Sequence, residues 1–310
     1  MAVYTPLTRA QVAAFLAAYD LGALERHEGI AQGVSNTNYH VFTSRGRYIL
    51  TLFEPRRMKA AEAPFFLDFM AHVGARGIPC PQPITARDGA ALRTLADKPA
   101  VLLPFLPGRE ILDADLTPDH CAQMGALTAR LHLAAADFPQ RRVNPMGASC
   151  LAGMAHALQP HMGLHSRGLR ALVDEELVHI AQHWPRNLPA GVVHADLFPD
   201  NVFFEDEGLA AVIDFYMSCT DFYAYDLSVT LNAWCFGPGP AQAAFLESYE
   251  AVRPLSEAER AALPVLRRAA ALRFVLTRLE ELTQHDPATM MTPKDPGEYI
   301  DKLLCLRGEA

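Results

Sequence analysis

The sequence predicts an α+β chain in two parts: an N-terminal antiparallel β lobe over residues 1–105 and a larger, mainly helical lobe over residues 106–310. Three observations carry this reading. Short β-type runs separated by turn residues dominate the first third. A Pro/Gly-rich segment, Pro104-Phe-Leu-Pro-Gly108, then breaks the pattern. Beyond it, apolar residues recur at helical spacing in one long segment after another. With 310 residues, half of them hydrophobic, the chain is long enough for two parts that each bury a core.

Bulk properties narrow the function. The net charge is −8, and no Lys/Arg cluster forms a nucleic-acid surface. The six cysteines, at 80, 121, 150, 219, 235 and 305, contain no C-x-x-C pair, so no zinc or redox motif is visible. Scattered thiols of this kind fit a reduced, cytoplasmic protein. No basic segment followed by a long apolar run opens the chain, and no apolar stretch reaches the roughly 18 residues a membrane helix needs. No nucleic-acid or membrane partner is expected.

Taken in order, residues 8–19 read as an amphipathic helix. Thr8 and Gln11 make a capping box, and Val12, Phe15, Leu16 and Tyr19 share one face. Residues 30–53 read as a β meander, with strands at Tyr39–Thr43 and Tyr48–Phe53 around a Ser-Arg-Gly turn. Residues 60–76 read as a helix that Gly77-Ile-Pro-Cys-Pro ends. Asp88-Gly89 is a turn, and Ala100–Phe105 a strand. Thr117-Pro118 is an N-cap with proline at the first helical position, opening a helix to about Ala135. On it, His132 reads as a satisfied structural histidine. Residues 151–184 are helical and carry two i, i+4 pairs, His161/His165 and His179/His183. Neither has the H-E-x-x-H glutamate, so both read as surface histidines. Leu227–Trp234 reads as a buried helix, residues 241–252 as another, and Ser256 with Glu259 caps a long one running to about Leu282. In that last helix Arg273 and Arg278 interrupt an apolar series; each reads first as a solvated or ion-paired helix arginine, and at the edge of a cleft either could bind a substrate carboxylate.

The chain is organised around residues 191–215, GVVHADLFPDNVFFEDEGLAAVIDF. Val192-Val193 leads into His194-Ala-Asp196, and Asn201 follows five residues later. A β-type run at 202–204, a turn at EDEG and a second run at 210–213 then end in Asp214. Polar groups at the ends of short buried strands sit where chemistry is usually placed. A carboxylate at Asp196 can accept a hydroxyl proton. The amide oxygen of Asn201 and the carboxylate of Asp214 are hard ligands suited to Mg2+, which fills its other positions with phosphate and water oxygens. One base beside a two-oxygen metal holder is a set for phosphoryl transfer.

The pattern H-x-D-x-x-x-x-N followed by I-D-F resembles the catalytic and metal-binding segments of kinase-like phosphotransferases of the aminoglycoside and choline kinase type. H-R-D and D-F-G of protein kinases become H-A-D and D-F-Y here. The resemblance implies a bilobal protein-kinase-like fold with ATP and Mg2+ as cofactors. It implies Asp196 as the catalytic base and Asn201 and Asp214 on the metal. His194 and Asp226 become structural supports of the catalytic loop. It places Gln32-Gly-Val-Ser-Asn-Thr-Asn-Tyr39 at the phosphate-covering loop, so that Gly33, Ser35, Asn36, Thr37 and Asn38 are nucleotide-binding candidates; taken by itself the segment is also a plain hairpin turn. The backbone around Leu106 would meet the adenine. One position departs from the pattern: Thr51, in YILTLFE, stands where the family's phosphate-binding lysine is expected. Lys59 could reach in from the following segment, though it reads better as a solvated lysine, and Glu62 is left without an assignment to the family's Lys–Glu pair.

A narrower resemblance rests on GVSNTNYHVFTS, YILTLFE, EAPFFLDFMAHV, GIPCPQP, ADLFPDNVFF, IDFYMSCTDFYAYDLS, LNAWCF, YEAVRPLSEAERAALPVLRRAAALRF and TPKDP. These look like the homoserine kinases of the kinase-like fold, in which Thr51 also fits. The resemblance implies transfer from ATP to the side-chain hydroxyl of L-homoserine, in threonine biosynthesis. Arg273 is the candidate for the acceptor's carboxylate, and Tyr216, Asp221 or Trp234 for its ammonium. Two alternatives stay open: a kinase of another small hydroxyl acceptor (choline, ethanolamine, methylthioribose or an aminoglycoside), and a non-catalytic nucleotide-binding pseudokinase.

Overall fold

A computed structural model of the protein describes residues 4–30, 36–54, 59–284 and 293–308. The chain divides into two compact units. The first comprises residues 1–107, 211–213 and 286–292; the second comprises 108–210, 214–285 and 293–310.

The first unit opens with α1 (Arg9–Leu16). Thr8 accepts from the Gln11 N–H and the Gln11 side chain closes the box, as its spacing predicts. Strands β1 (Leu24–Gly29), β2 (Thr37–Thr43) and β3 (Gly46–Leu52) follow, then a 3₁₀ turn at Ala60–Glu62 and α2 (Ala63–Gly74). Where one helix from 60 is expected, the regular helix starts only at Ala63, with Pro64 in its first turn, where a missing N–H costs nothing. Gly77, at φ +86°, lets the chain turn away behind α2. Strands β4 (Leu92–Leu95) and β5 (Lys98–Pro104) complete an antiparallel sheet of order β1-β2-β3-β5-β4. Period-two alternation sorts its residues. Tyr39, Val41, Leu50, Leu52, Ala100 and Leu102 form one core cluster with Val12, Phe15 and Leu16 of α1. Asn38 and Thr51 pair directly on the alternate positions.

The second unit contains α3 (Pro118–Ala134), α4 (Ala148–His165), α5 (Leu169–His183) and β6 (Ala190–Val193). A hairpin of β7 (Val202–Glu205) and β8 (Gly208–Val212) begins here, its last residues belonging to the first unit. Then come β9 (Cys219–Phe222), α6 (Tyr223–Trp234), α7 (Pro240–Val252), α8 (Glu257–Gln284) and α9 (Gly297–Arg307). Its core packs α4, α5, α6, α8 and α9 through Leu151, Val173, Tyr225, Leu272, Leu276 and Tyr299. Thr117 and Ser256 cap α3 and α8 as expected, Ser256 accepting from the Glu259 N–H at 3.2 Å. Arg278 reaches Glu298 at 2.6 Å and the Asp295 carbonyl at 2.9 Å, so it is an ion-paired helix arginine. His161, His165, His179 and His183 all keep solvent contact, and the rings of His179 and His183 stack on each other at 4.3 Å.

Candidate active site

Strand β6 delivers the central motif. It pairs antiparallel with β9, Val193 opposite Cys219, and its two valines are fully buried. The strand stops at His194, whose ring lies 4.7 Å from that of Phe215. Ala195 then takes φ +66°, a left-handed conformation that costs a residue with a Cβ. That turn presents Asp196, which keeps partial solvent contact between the buried Ala195 and Leu197. A 3₁₀ turn at Pro199–Asn201 follows and brings Asn201 back to it. The Asn201 Nδ2 donates to the Asp196 carbonyl at 2.8 Å and lies 3.5 Å from its Oδ2. With its amide N–H group spent in this way, the Asn201 side chain has its oxygen left to act as an acceptor or ligand.

Asp214 follows β8 in the left-handed region, at φ 61° and ψ 59°. Aspartate tolerates that conformation better than most residues. Burial pushes its carboxyl up to about 7, and repulsion from Asp196 adds to the rise, while the Tyr216 N–H opposes it. Burial also pushes Asp196 up, to about 6, against the pull of the Arg273 guanidinium. Asp196 therefore acts on Asp214 as a neighbouring negative charge. A carboxyl pushed up in this way, and the Asn201 side-chain oxygen, are groups that fit a divalent cation.

The loop is braced from behind. The Ala195 N–H donates to Asp226 Oδ1 at 2.6 Å. Asp226 Oδ2 lies 3.0 Å from His132 Nε2, and His132 Nδ1 lies 2.8 Å from the Tyr249 hydroxyl. Arg253 donates to that hydroxyl at 3.0 Å and to Glu259 at 2.8 Å. Burial holds His132 below its ordinary value, so at neutral pH it is uncharged and donates its Nε2–H to Asp226. Burial pushes Asp226 up, but hydrogen bonds from His132 and Ala195 carry the net value below the ordinary one. His132 is thus a satisfied core histidine, as expected. Trp234 donates its indole N–H to the Leu197 carbonyl at 2.8 Å, and Arg273 donates to the Ala195 carbonyl at 2.7 Å.

The other expected site residues fall into three groups. Gly33 and Ser35 lie outside the described residues. Asn36 and Thr37 are buried and spend their side chains inside the first unit: Asn36 Oδ1 accepts from the Glu54 N–H at 3.3 Å, and the Thr37 hydroxyl donates to Glu54 at 2.6 Å. Asn38 Oδ1 accepts from the Thr51 hydroxyl at 2.7 Å, so the position expected to hold lysine is filled by a neutral hydrogen-bonded pair. Lys59 is exposed, and Leu106 lies in the irregular segment after β5. At the acceptor end, Tyr216 and Asp221 are half-buried, Asp221 accepting from Asn144 at 2.6 Å. Trp234 and Arg273, each 2% exposed, face the backbone of the loop. Reading the sequence missed Tyr249, Arg253 and the second task of Glu259. The S-x-x-E cap was the only local signal, and it pointed to the helix start alone.

Comparison with known proteins gives this geometry a family. A profile described as the phosphotransferase enzyme family matches residues 26–272. A protein of Xanthobacter autotrophicus named homoserine kinase is 48% identical over 98% of this chain and 95% of its own. Another of that name from Nitrobacter hamburgensis is 47% identical over 98% and 94%. Among solved structures, an amicoumacin kinase in complex with AMP-PNP and Ca2+ is similar at a TM-score of 0.72 and 17% identity, covering 98% of this chain and 93% of that one; this likeness speaks for the fold. With the profile spanning most of its length and relatives close to half identical from end to end, the chain belongs to the phosphotransferase enzyme family.

Proposed function

We infer that the protein is an ATP-dependent homoserine kinase, forming O-phospho-L-homoserine and ADP. The observation that carries this is the full-length similarity to proteins of that name. The choline-type, aminoglycoside-type and pseudokinase readings are not favoured by it. Threonine biosynthesis follows from the product, since phosphohomoserine is the activated form of a hydroxyl that is otherwise a poor leaving group.

Asp196 is proposed to orient the acceptor hydroxyl and take its proton as the phosphoryl group arrives. Its partly buried position, with a carboxyl held near 6, leaves it ionised at neutral pH and still basic enough for that task. Asn201 and Asp214 are proposed to hold Mg2+, which would neutralise charge on the transferring phosphates. Asn201 in addition fixes Asp196 by donating to its carbonyl. His194 and Asp226 keep the loop in place from the buried side, and Trp234 does the same at Leu197. In the first unit, Asn38 and the backbone from 33 to 38 are proposed for the nucleotide phosphates, and Leu106 for the adenine. Asn36 and Thr37 would take part through their backbone, because their side chains are already committed. Asp221 and Tyr216 are proposed for the acceptor's ammonium.

The test is direct. Incubation with MgATP and L-homoserine, followed by 31P NMR, should show a phosphomonoester resonance that coincides with that of added O-phosphohomoserine and grows with ADP. ATP consumed only to inorganic phosphate would contradict the acceptor.

A further inference from the structure

The residue before the proposed base carries the strain. Ala195 is 1% exposed and sits at φ +66°, which a side-chain-bearing residue adopts only when its surroundings impose it. Both peptide groups of Ala195 are held by charged side chains, from two different helices. On one side Asp226, from α6, accepts the Ala195 N–H at 2.6 Å. On the other, Arg273, from the middle of α8, donates Nη1 to the Ala195 carbonyl at 2.7 Å. That carbonyl belongs to the peptide unit that begins Asp196. Hydrogen bonds to charged groups are stronger than neutral ones, and here they act on adjacent peptides with opposite polarity.

Arg273 is itself tightly placed. It is 2% exposed, its guanidinium lies 4.6 Å from the Phe274 ring, and Tyr225 is beside it in the core. A cation buried to this degree is costly unless it is hydrogen-bonded, which makes its bond to the Ala195 carbonyl expensive to lose, and it has almost no surface to offer an acceptor. We propose that Arg273 is a positioning residue. Together with Asp226 it clamps Ala195 in its left-handed conformation, and so fixes where the Asp196 carboxylate stands. This rests on the assignment of Asp196 as the base. It gives Arg273 a different task from the carboxylate recognition expected from its type and position.

The two tasks separate kinetically. A group that binds the acceptor's carboxylate supports ground-state binding, so its loss raises KM for homoserine. A group that places the base acts on the chemical step, so its loss lowers kcat. Misplacement of a catalytic group by about 1 Å costs about 100-fold. The clamp also predicts an interaction with the residue it holds. Glycine takes a left-handed φ without strain, so the Ala195→Gly variant needs the clamp less than the wild type does.

The experiment compares wild type, Arg273→Met, Arg273→Lys, Ala195→Gly and the Ala195→Gly/Arg273→Met double variant. Each is measured for kcat and for both KM values, after a melting curve establishes that it is folded. Arg273→Met should lower kcat by about 100-fold, with KM for ATP and homoserine each within about three-fold of wild type. Arg273→Lys should recover about ten-fold of the loss, since an ammonium still donates to the Ala195 carbonyl. In the Ala195→Gly background the same Arg273→Met change should cost about five-fold less than in the Ala195 background. If Arg273→Met unfolds, the Arg273→Lys change made in both backgrounds carries the test, with the same ordering expected. A raised KM for homoserine with kcat retained would overturn the proposal in favour of carboxylate binding. An equal loss in both backgrounds, or no loss in either, would overturn it outright. Wild-type enzyme that fails to phosphorylate homoserine would instead overturn the function, and the clamp reading with it.

Discussion

Asp214→Asn should stabilise the metal-free protein while removing its activity. Asparagine is nearly isosteric, tolerates the left-handed backbone at φ 61° and can still accept from the Tyr216 N–H. What it removes is a charge that burial and Asp196 both oppose. A carboxyl whose folded pKa lies above its unfolded value binds its proton more tightly when folded. Its charge costs nothing below the unfolded value, and stability falls as pH rises from about 4 through about 7. The move from 3.8 to about 7 converts, at about 1.4 kcal/mol per pH unit, to an upper bound of about 4 kcal/mol. Asp214 keeps some solvent contact, so about 1–2 kcal/mol is the expected gain. For a protein of this size that is a rise of about 2–6 °C in melting temperature. The assay is thermal denaturation in EDTA at pH 8 and pH 5. The full gain should appear at pH 8 and about a third of it at pH 5. Excess Mg2+ should raise the wild-type melting temperature and leave the variant's unchanged, while turnover falls by about 10³-fold. A variant that melts below wild type at pH 8, or gains equally at both pH values, would refute the electrostatic account of the site.

Four further outcomes follow from the same geometry. Asp196→Asn should lose about 10²–10⁴-fold in kcat with MgATP affinity unchanged, measured by turnover and by calorimetric titration. In wild type, kcat/KM should fall about ten-fold per pH unit below about 6, because Asp196 takes up a proton there and would be unable to serve in its proposed role as base. Asp226→Ala should cost about 3–5 kcal/mol in urea denaturation, since it strips partners from His132 and the Ala195 N–H at once. Gly125→Ala should destabilise by about 1–3 kcal/mol with both KM values unchanged, because a Cβ there would stand 2.1 Å from the Phe245 carbonyl oxygen and force α3 away from α7.

The parts legible in the sequence were those set by local rules. The caps at Thr8, Thr117 and Ser256, the Gly77 stop and the strand–loop–strand frame of His194 to Asp214 each depend on residues within a few positions of one another. Strand β1 was not legible. Leu24–Gly29 is LERHEG, with no apolar alternation, because it is the exposed edge of the sheet and is held by backbone pairing to β2. Strand β9 was hidden for another reason. Cys219–Phe222 pairs with β6, far earlier in the chain, and nothing in its own residues marks that partner. The start of α6 at Tyr223, ahead of the expected Leu227, follows from the burial of Tyr223 and Tyr225 against the core. Within the site, the residue types at Asp196, Asn201 and Asp214 are what suggested the chemistry proposed for them. The destinations of Arg273 and Trp234 did not, since the loop carbonyls they reach lie 78 and 37 residues away and no spacing rule connects them.

The H-A-D loop is proposed to serve phosphoryl transfer to homoserine. The most direct test of this is kcat/KM for ADP release with MgATP across L-homoserine, choline, ethanolamine, methylthioribose, kanamycin and an acceptor-free control, with Asp196→Asn run in parallel. Release above the control is expected with homoserine alone, and about 10²–10⁴-fold slower in the variant. Release with a different acceptor, or release with homoserine at the wild-type rate in Asp196→Asn, would contradict it.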